Sequence, residues 1–196
     1  MWTREILGIE VYHVIQWFLV YSVLGWFVES AYMSLCNRKI TNRGFVTGPF
    51  CPIYGFGALS VYFLLQPFQG DYVKLYFLGA IVATALEFVV AHVMKKFLGE
   101  VWWDYHEKPF NYKGILCLES TVAWGFYTVF LFLFLHKFVM RIVNSYSPAF
   151  GERVAMFLIF LFLVDFTVNL LRVKNEGFDG AVRRLKETVI ERVKGS

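Results

Sequence analysis

Charge is what this sequence has least of: 17% of its 196 residues are Asp, Glu, Lys or Arg, where a soluble domain carries about a quarter. That shortage, with 58% hydrophobic and 20% aromatic residues and a mean hydropathy of +0.53, excludes a water-solvated surface over most of the chain. Its solvent is mostly lipid. Cysteine is scarce as well. Cys36, Cys51 and Cys117 are too few and too scattered for a disulfide framework or a spaced zinc motif, and they read as small packing residues. The net charge of +4 is not gathered into a basic patch with interleaved aromatics, which argues against nucleic acid as a partner. No GxxxxGK[ST], HExxH or GxSxG sequence occurs. The first apolar run is too long for a cleavable signal and lacks a small-residue cleavage site, so it is expected to remain as a membrane helix.

What is present is a series of long apolar runs. A span needs roughly 20 mostly apolar residues to cross about 30 Å of hydrocarbon, and only helices or closed barrels satisfy their backbone there. Five segments qualify: 14–36, 51–66, 75–93, 115–136 and 155–172. The unbroken apolar run at 126–135 contradicts the alternation of a barrel strand. The predicted fold is therefore all-α: a polytopic membrane helix bundle of about five transmembrane helices, occupying residues 1–172, followed by a cytoplasmic tail at 173–196.

Orientation follows from counting Lys and Arg on the two sides. Fourteen fall on the side of the first and third connections and the tail, and five on the other. The first side is expected to be cytoplasmic, with the N-terminus outside, in the plasma (bacterial inner) membrane. Half of the fourteen lie between Arg172 and Lys194, so this expectation leans on the tail. There Val182, Leu185, Val189, Ile190 and Val193 recur at helical spacing while Arg183, Arg184, Lys186, Arg192 and Lys194 take other faces. The pattern predicts a basic amphipathic helix, lying on the anionic leaflet or docked on a cytoplasmic partner.

Chemistry is sought first where ionisable groups are expensive. A charged side chain inside hydrocarbon costs at least ~2.5 kcal/mol and needs a partner, water or a proton. Glu29, Glu87, Glu119 and Asp165 all lie within the apolar segments. At about 1.5 Å per residue, Glu29, Glu87 and Glu119 fall in the inner half and Asp165 near the middle. Either all four face one cavity open to the cytoplasm, or each is singly neutralised by protonation or by neighbours such as Ser30, Ser120, Asn169 or Tyr21.

Two connections have unusual composition. NRGFVTGPFCPIYGFG, at 42–57, carries two prolines and four glycines, which delay any regular helix until about Pro52, a favourable first helical position. A bent or partly re-entrant segment is expected, and such backbone is tolerated at membrane depth only where protein or water surrounds it. Arg43 would either sit at the lipid headgroups in a tight turn or help the new helix N-terminus hold an anion. The third connection, 94–114, contains VWWDYHEKPFNYKG. Its Trp102, Trp103, Tyr105 and Tyr112 suit an interfacial belt, while Asp104, His106 and Asn111 among them resemble the polar lining of a small pocket.

These residues carry a resemblance. GWFVES at 25–30, NRG at 42–44, GPFCPIYGFG at 48–57, LEF at 86–88, WDY at 103–105, PFN at 109–111, and CLES at 117–120 followed by AWG at 123–125 resemble the ABC-transporter type IV (CmpB-like) family of small bacterial integral membrane proteins. The likeness covers about residues 15 to 130. It implies that Glu29, Arg43, Cys51, Pro52, Tyr54, Glu87, Trp103, Asp104, Asn111 and Glu119 occupy family motif positions; Asp165 lies outside the clear match. It also implies that any ATPase of such a system is a separate polypeptide.

Three functions compete. A transporter or permease-type subunit would use an acidic, cytoplasm-facing cavity for a cation or a cationic amphiphile, with Glu29, Arg43, Cys51, Tyr54, Glu87, Trp103, Asp104, Asn111 and Glu119 as binding or pathway residues. A membrane-embedded enzyme would act on a lipid or amphiphile, with a divalent cation as cofactor held by Glu29, Glu87 and Glu119. A scaffold or regulatory subunit would recruit a soluble partner through its tail. Five helices leave little room for a pathway, which points to a homodimer.

Overall fold

The computed structural model describes the chain apart from Met1, Thr3, Leu7, residues 43–45, Glu100, Trp102, Gly195 and Ser196, and apart from the side chains of Ile6, Leu98 and residues 173–194. A two-residue hairpin, β1 (Glu5–Ile6) and β2 (Ile9–Glu10), precedes α1 (Val11–Asn37). Then come α2 (Pro52–Leu65), a 3-10 turn (Gln66–Phe68), α3 (Tyr72–Leu98), α4 (Leu118–Phe130), a π turn (Leu131–Leu135), α5 (His136–Val143) and α6 (Pro148–Lys194). The expected all-α membrane bundle is what the chain forms. Among the described residues, four helical stretches are long and apolar enough to cross a bilayer: Val11–Asn37, Tyr72–Phe97, Leu118–Val143 and Pro148–Arg172. The remaining expected span, α2, has 14 residues and rises only about 21 Å, short of a crossing by itself.

The shortfall has a local cause. Pro52 stands in the first turn of α2, where its missing N–H costs nothing, and the described residues before it, 39–42 and 46–51, are non-helical. Both described ends of this connection lie against α1. Thr41 N–H donates to Ser34 Oγ (3.0 Å), the Trp26 indole donates to Asn42 Oδ1 (2.6 Å), and Cys51 N–H donates to the Ser22 carbonyl (3.1 Å). α2 therefore starts beside the middle of α1 and continues antiparallel to it, as far as an edge-on contact between Tyr62 and Trp17 (5.8 Å). Glycine permits the approach. A Cβ on Gly55 would stand 2.5 Å from Ser22 Oγ and 2.7 Å from the Phe18 carbonyl, and one on Gly25 would overlap the Tyr54 side chain.

α3 and α4 form the second close pair, again over small residues: Gly79 faces Thr128, Gly125 faces the Tyr76 ring, and Thr84 bonds Thr121 (3.1 Å). The core gathers in the half of the bundle that holds the α1 N-terminus, the α2–α3 turn and the α5–α6 turn. Here Trp17, Tyr21, Tyr62, Leu65, Leu75, Leu131, Val139 and Val143 are buried together. Toward the opposite end, called here the loop face because it carries the 99–117 connection, α1 exposes Phe27, Val28, Tyr32 and Leu35.

The fourth span runs to Val143, past the end at 136 expected from its apolar run. Its π turn admits an extra residue and shifts the helical register, after which His136, Val139 and Val143 all face inward. α6 docks on α1 near its own start, where Gln16 donates to the Gly151 carbonyl (2.9 Å) and accepts from the Tyr146 hydroxyl (2.9 Å). Only 6% of its most apolar window is buried by the chain itself. The helix continues through Arg172 to Lys194 without a break; the two-faced pattern expected of the tail concerns side chains outside the described residues.

Candidate functional site at the loop face

Each intramembrane carboxylate is bonded to one of the two irregular connections or to the helix that follows it. In α6, Asp165 Oδ2 accepts the Gly48 N–H (2.8 Å) and Oδ1 accepts from Asn169 (2.7 Å), whose amide also reaches Thr47 Oγ1 (3.4 Å). A Cβ at Gly48 would stand 3.4 Å from Asp165 Oδ2, at van der Waals contact. In α1, Glu29 Oε2 accepts from the Tyr54 hydroxyl (2.8 Å), which ties the first turn of α2 to the loop-face half of α1.

Glu87, in α3, has three neutral donors around it. Tyr105 of the long connection donates to Oε1 (3.1 Å), while Ser120 Oγ (3.4 Å) and the Trp124 indole (3.0 Å), both from α4, donate to Oε2. Burial and the neighbouring carboxylate together push the Tyr105 phenol up from its ordinary value, so it stays a donor. One residue before Ser120, Glu119 in the first turn of α4 forms an exposed ion pair with Lys108 (2.8 Å). That bond holds the ammonium pKa above its usual value. Residues of α3, α4 and the long connection thus converge at this face.

The connection is shaped by its own polar residues. Asn111 donates to the carbonyls of His106 (3.1 Å) and Lys108 (2.9 Å) and accepts from Gly114 N–H (3.1 Å). Trp103 donates to the Ile115 carbonyl (2.9 Å). Asp104 accepts from the backbone and the ring of His106, and these two bonds, the backbone one first, hold its carboxyl below the usual range. Gly114, at φ 70°, lies under the His106 ring at a distance no Cβ would allow. Trp103, Asp104 and Asn111, expected as binding or pathway residues, make these bonds within their own connection. Cys51 is buried at the start of α2. Arg43 and Trp102 lie outside the described residues. Among the described residues no group of three His, Cys, Asp or Glu stands as a metal-binding cluster, the candidate set Glu29, Glu87 and Glu119 included.

The family described as "Putative ABC-transporter type IV" matches residues 16–170. The chain belongs to this family. That match reaches beyond the resemblance at 15–130 to take in Asp165 and the first half of α6, and it agrees with a multi-pass membrane protein related to transport. No curated protein and no solved structure matches the chain significantly. Among the partners of the acids, Ser120 and Asn169 are expected from the sequence and do bond Glu87 and Asp165; Tyr105, Lys108 and Trp124 are not expected, nor are Gln16 and His136 as buried polar groups. Tyr105 and Trp124 stand in the motifs WDY and AWG; for Lys108, Gln16 and His136 only the three-dimensional arrangement supplies the signal.

Proposed function

We propose that this chain is the membrane subunit of a permease, and that its loop face, directed to the cytoplasm, offers an acidic cavity to a cation or a cationic amphiphile. The observation that carries the reading is the Lys108–Glu119 ion pair. An ammonium on a connecting segment already occupies a carboxylate at the end of a spanning helix, so a substrate cation has a site to compete for. On α1, Val28, Tyr32 and Leu35 recur at helical spacing toward the same end of the bundle and are exposed, which suits the apolar part of an amphiphile. Glu87 accepts only from neutral groups among its hydrogen-bond partners, which leaves its charge for a cation or a proton. Glu29 braces α2 through Tyr54 at the same face. The chain contains no nucleotide-binding motif, so in this reading the energy comes from a separate ATPase or from proton exchange.

Equilibrium dialysis of the purified chain against tetraphenylphosphonium tests the site, with uptake into proteoliposomes as the second readout. Glu119→Gln should weaken binding about tenfold, the loss of one partly screened charge contact. Lys108→Gln should strengthen it, because the internal competitor is gone. Equal binding by wild type, Glu119→Gln and Lys108→Gln, with helicity unchanged, would overturn the proposal.

A further inference from the structure

The other half of the bundle holds a polar cluster that the proposed function does not use. His136 is 4% exposed, Trp17 5% and Tyr12 6%, and each keeps one polar atom without a hydrogen-bond partner: His136 Nε2, Trp17 Nε1 and Tyr12 Oη. His136 is fixed in place. Its Nδ1 is bonded to the Tyr21 hydroxyl (2.7 Å), its ring stacks on Tyr62 at 3.9 Å, and it meets the edge of Trp17 at 4.6 Å. The π turn immediately before it is what brings the imidazole inward, and such turns recur at functional positions.

Buried polar atoms are nearly always bonded, to protein or to ordered water. Three unmet ones in a single aromatic cluster point to water, which accepts from an indole N–H and exchanges hydrogen bonds with an imidazole nitrogen and a hydroxyl. A supply lies close by. A cavity of about 300 Å³ is lined by Tyr12, His13, Val143 and Tyr146 together with Glu10 and Glu152. Tyr12 belongs both to its wall and to the orphaned set, and Val143 is two turns from His136 on the buried side of α5.

We propose that His136, Trp17 and Tyr12 form a hydrated proton-binding site within the membrane, fed from the cavity at the N-terminal face. A proton passing from water to Nε2 leaves hydroxide or neutral water behind, according to its source. The tautomer that can accept at Nε2 is the one whose Nδ1–H is donated to the Tyr21 oxygen; the imidazolium retains that bond and donates its new Nε2–H to the internal water. The groups facing the ring are Trp17 and Tyr21 from α1, Tyr62 from α2 and, through Tyr62, Phe132 of the π turn. The carboxylates that would balance the charge are Glu10, which pairs with His13 (3.5 Å), and Glu152, both at the cavity. The inference goes beyond the loop-face reading and stands without it.

The test uses the full chain in lipid nanodiscs. An imidazolium edge-on to an indole quenches its fluorescence, so lowering the pH should reveal a one-proton quenching step. It should be absent from His136→Gln and from Trp17→Phe and present in His13→Gln, which removes the other histidine near Trp17. Identical titrations for wild type and His136→Gln would overturn the proposal. If His136→Gln does not fold, ¹⁵N-histidine NMR of the wild type decides instead. An imidazole that shows magnetisation transfer from water and gains a proton supports the site; one that stays dry, or stays neutral down to acid unfolding, refutes it.

Discussion

Replacing Asp165 by Ala should release the re-entrant segment, and Cys51 reports the release. Asp165 is the acceptor for the Gly48 N–H at 2.8 Å. A hydrogen bond to a charged group contributes about 1.5–3 kcal/mol net when both partners are sheltered, and this bond is the shortest of the contacts that join residues 46–51 to α6, beside the longer Asn169–Thr47 bond and the Phe50–Phe162 ring contact. In a background of Cys36→Ser and Cys117→Ser, Cys51 is the sole thiol left, and it is 7% exposed. A water-soluble methanethiosulfonate reagent would reach it through local opening, whose population rises with lost stability. The labelling rate of Asp165→Ala should therefore exceed that of the parent by roughly 10- to 150-fold. Asp165→Asn keeps a neutral acceptor and should lose about 1 kcal/mol, near fivefold. The two alternatives differ in size. A Gly48 N–H facing bulk water would find a new acceptor at once, and Asp165→Ala would change the rate by less than about threefold. Equal rates for parent and Asp165→Ala, or an Asn variant as fast as the Ala variant, would refute the idea that a sheltered carboxylate holds this segment.

Other expectations are read more simply. Gly55→Ala forces a Cβ against Ser22 Oγ and the Phe18 backbone and should cost about 1–3 kcal/mol; Gly57→Ala, with nothing within 4 Å, should be near neutral, and thermal unfolding in detergent compares them. Tyr105→Phe removes one donor to Glu87 and should cost about 1 kcal/mol, seen as faster proteolysis within 99–117. Asp71 caps α3 by accepting from Lys74 N–H (3.0 Å), which with the Lys74 side chain holds its carboxyl below the ordinary value. Its contribution is complete above the unfolded value and disappears as pH falls through the lower folded one. Asp71→Asn should thus narrow the gap in Tm between pH 6 and pH 3; an unchanged gap would contradict the assignment.

How much of this was legible beforehand depended on the range over which each feature is decided. The break at 42–51 and the start of α2 at Pro52 could be read locally, since proline and glycine act through their own backbone. The number of full-length spans could not, because the apolar run at 51–66 looks like a span until the chain's path shows that its first part is already beside the middle of α1. The expected end of the fourth span, at His136, follows the end of the apolar run, beyond which charged residues begin. The π turn altered the register, and Tyr21, 115 residues away, gave the imidazole a partner. Similarly, Asp104, His106 and Asn111 resemble pocket residues by type, and which groups Asp104 and Asn111 bond, two to five residues away within the same connection, is visible only in the folded loop.

The sequence by itself determined that this chain lives in lipid as helices and that a few acids had to be accounted for there. Both follow from transfer free energies that each segment carries alone. Tertiary structure decided which group answers each acid: Gly48 for Asp165, Tyr54 for Glu29, Tyr105 and Trp124 for Glu87, Lys108 for Glu119. These partners lie 11 to 117 positions away along the chain, so they are set by how the helices are ordered around the bundle and how closely their glycines let them approach, neither of which any single segment contains.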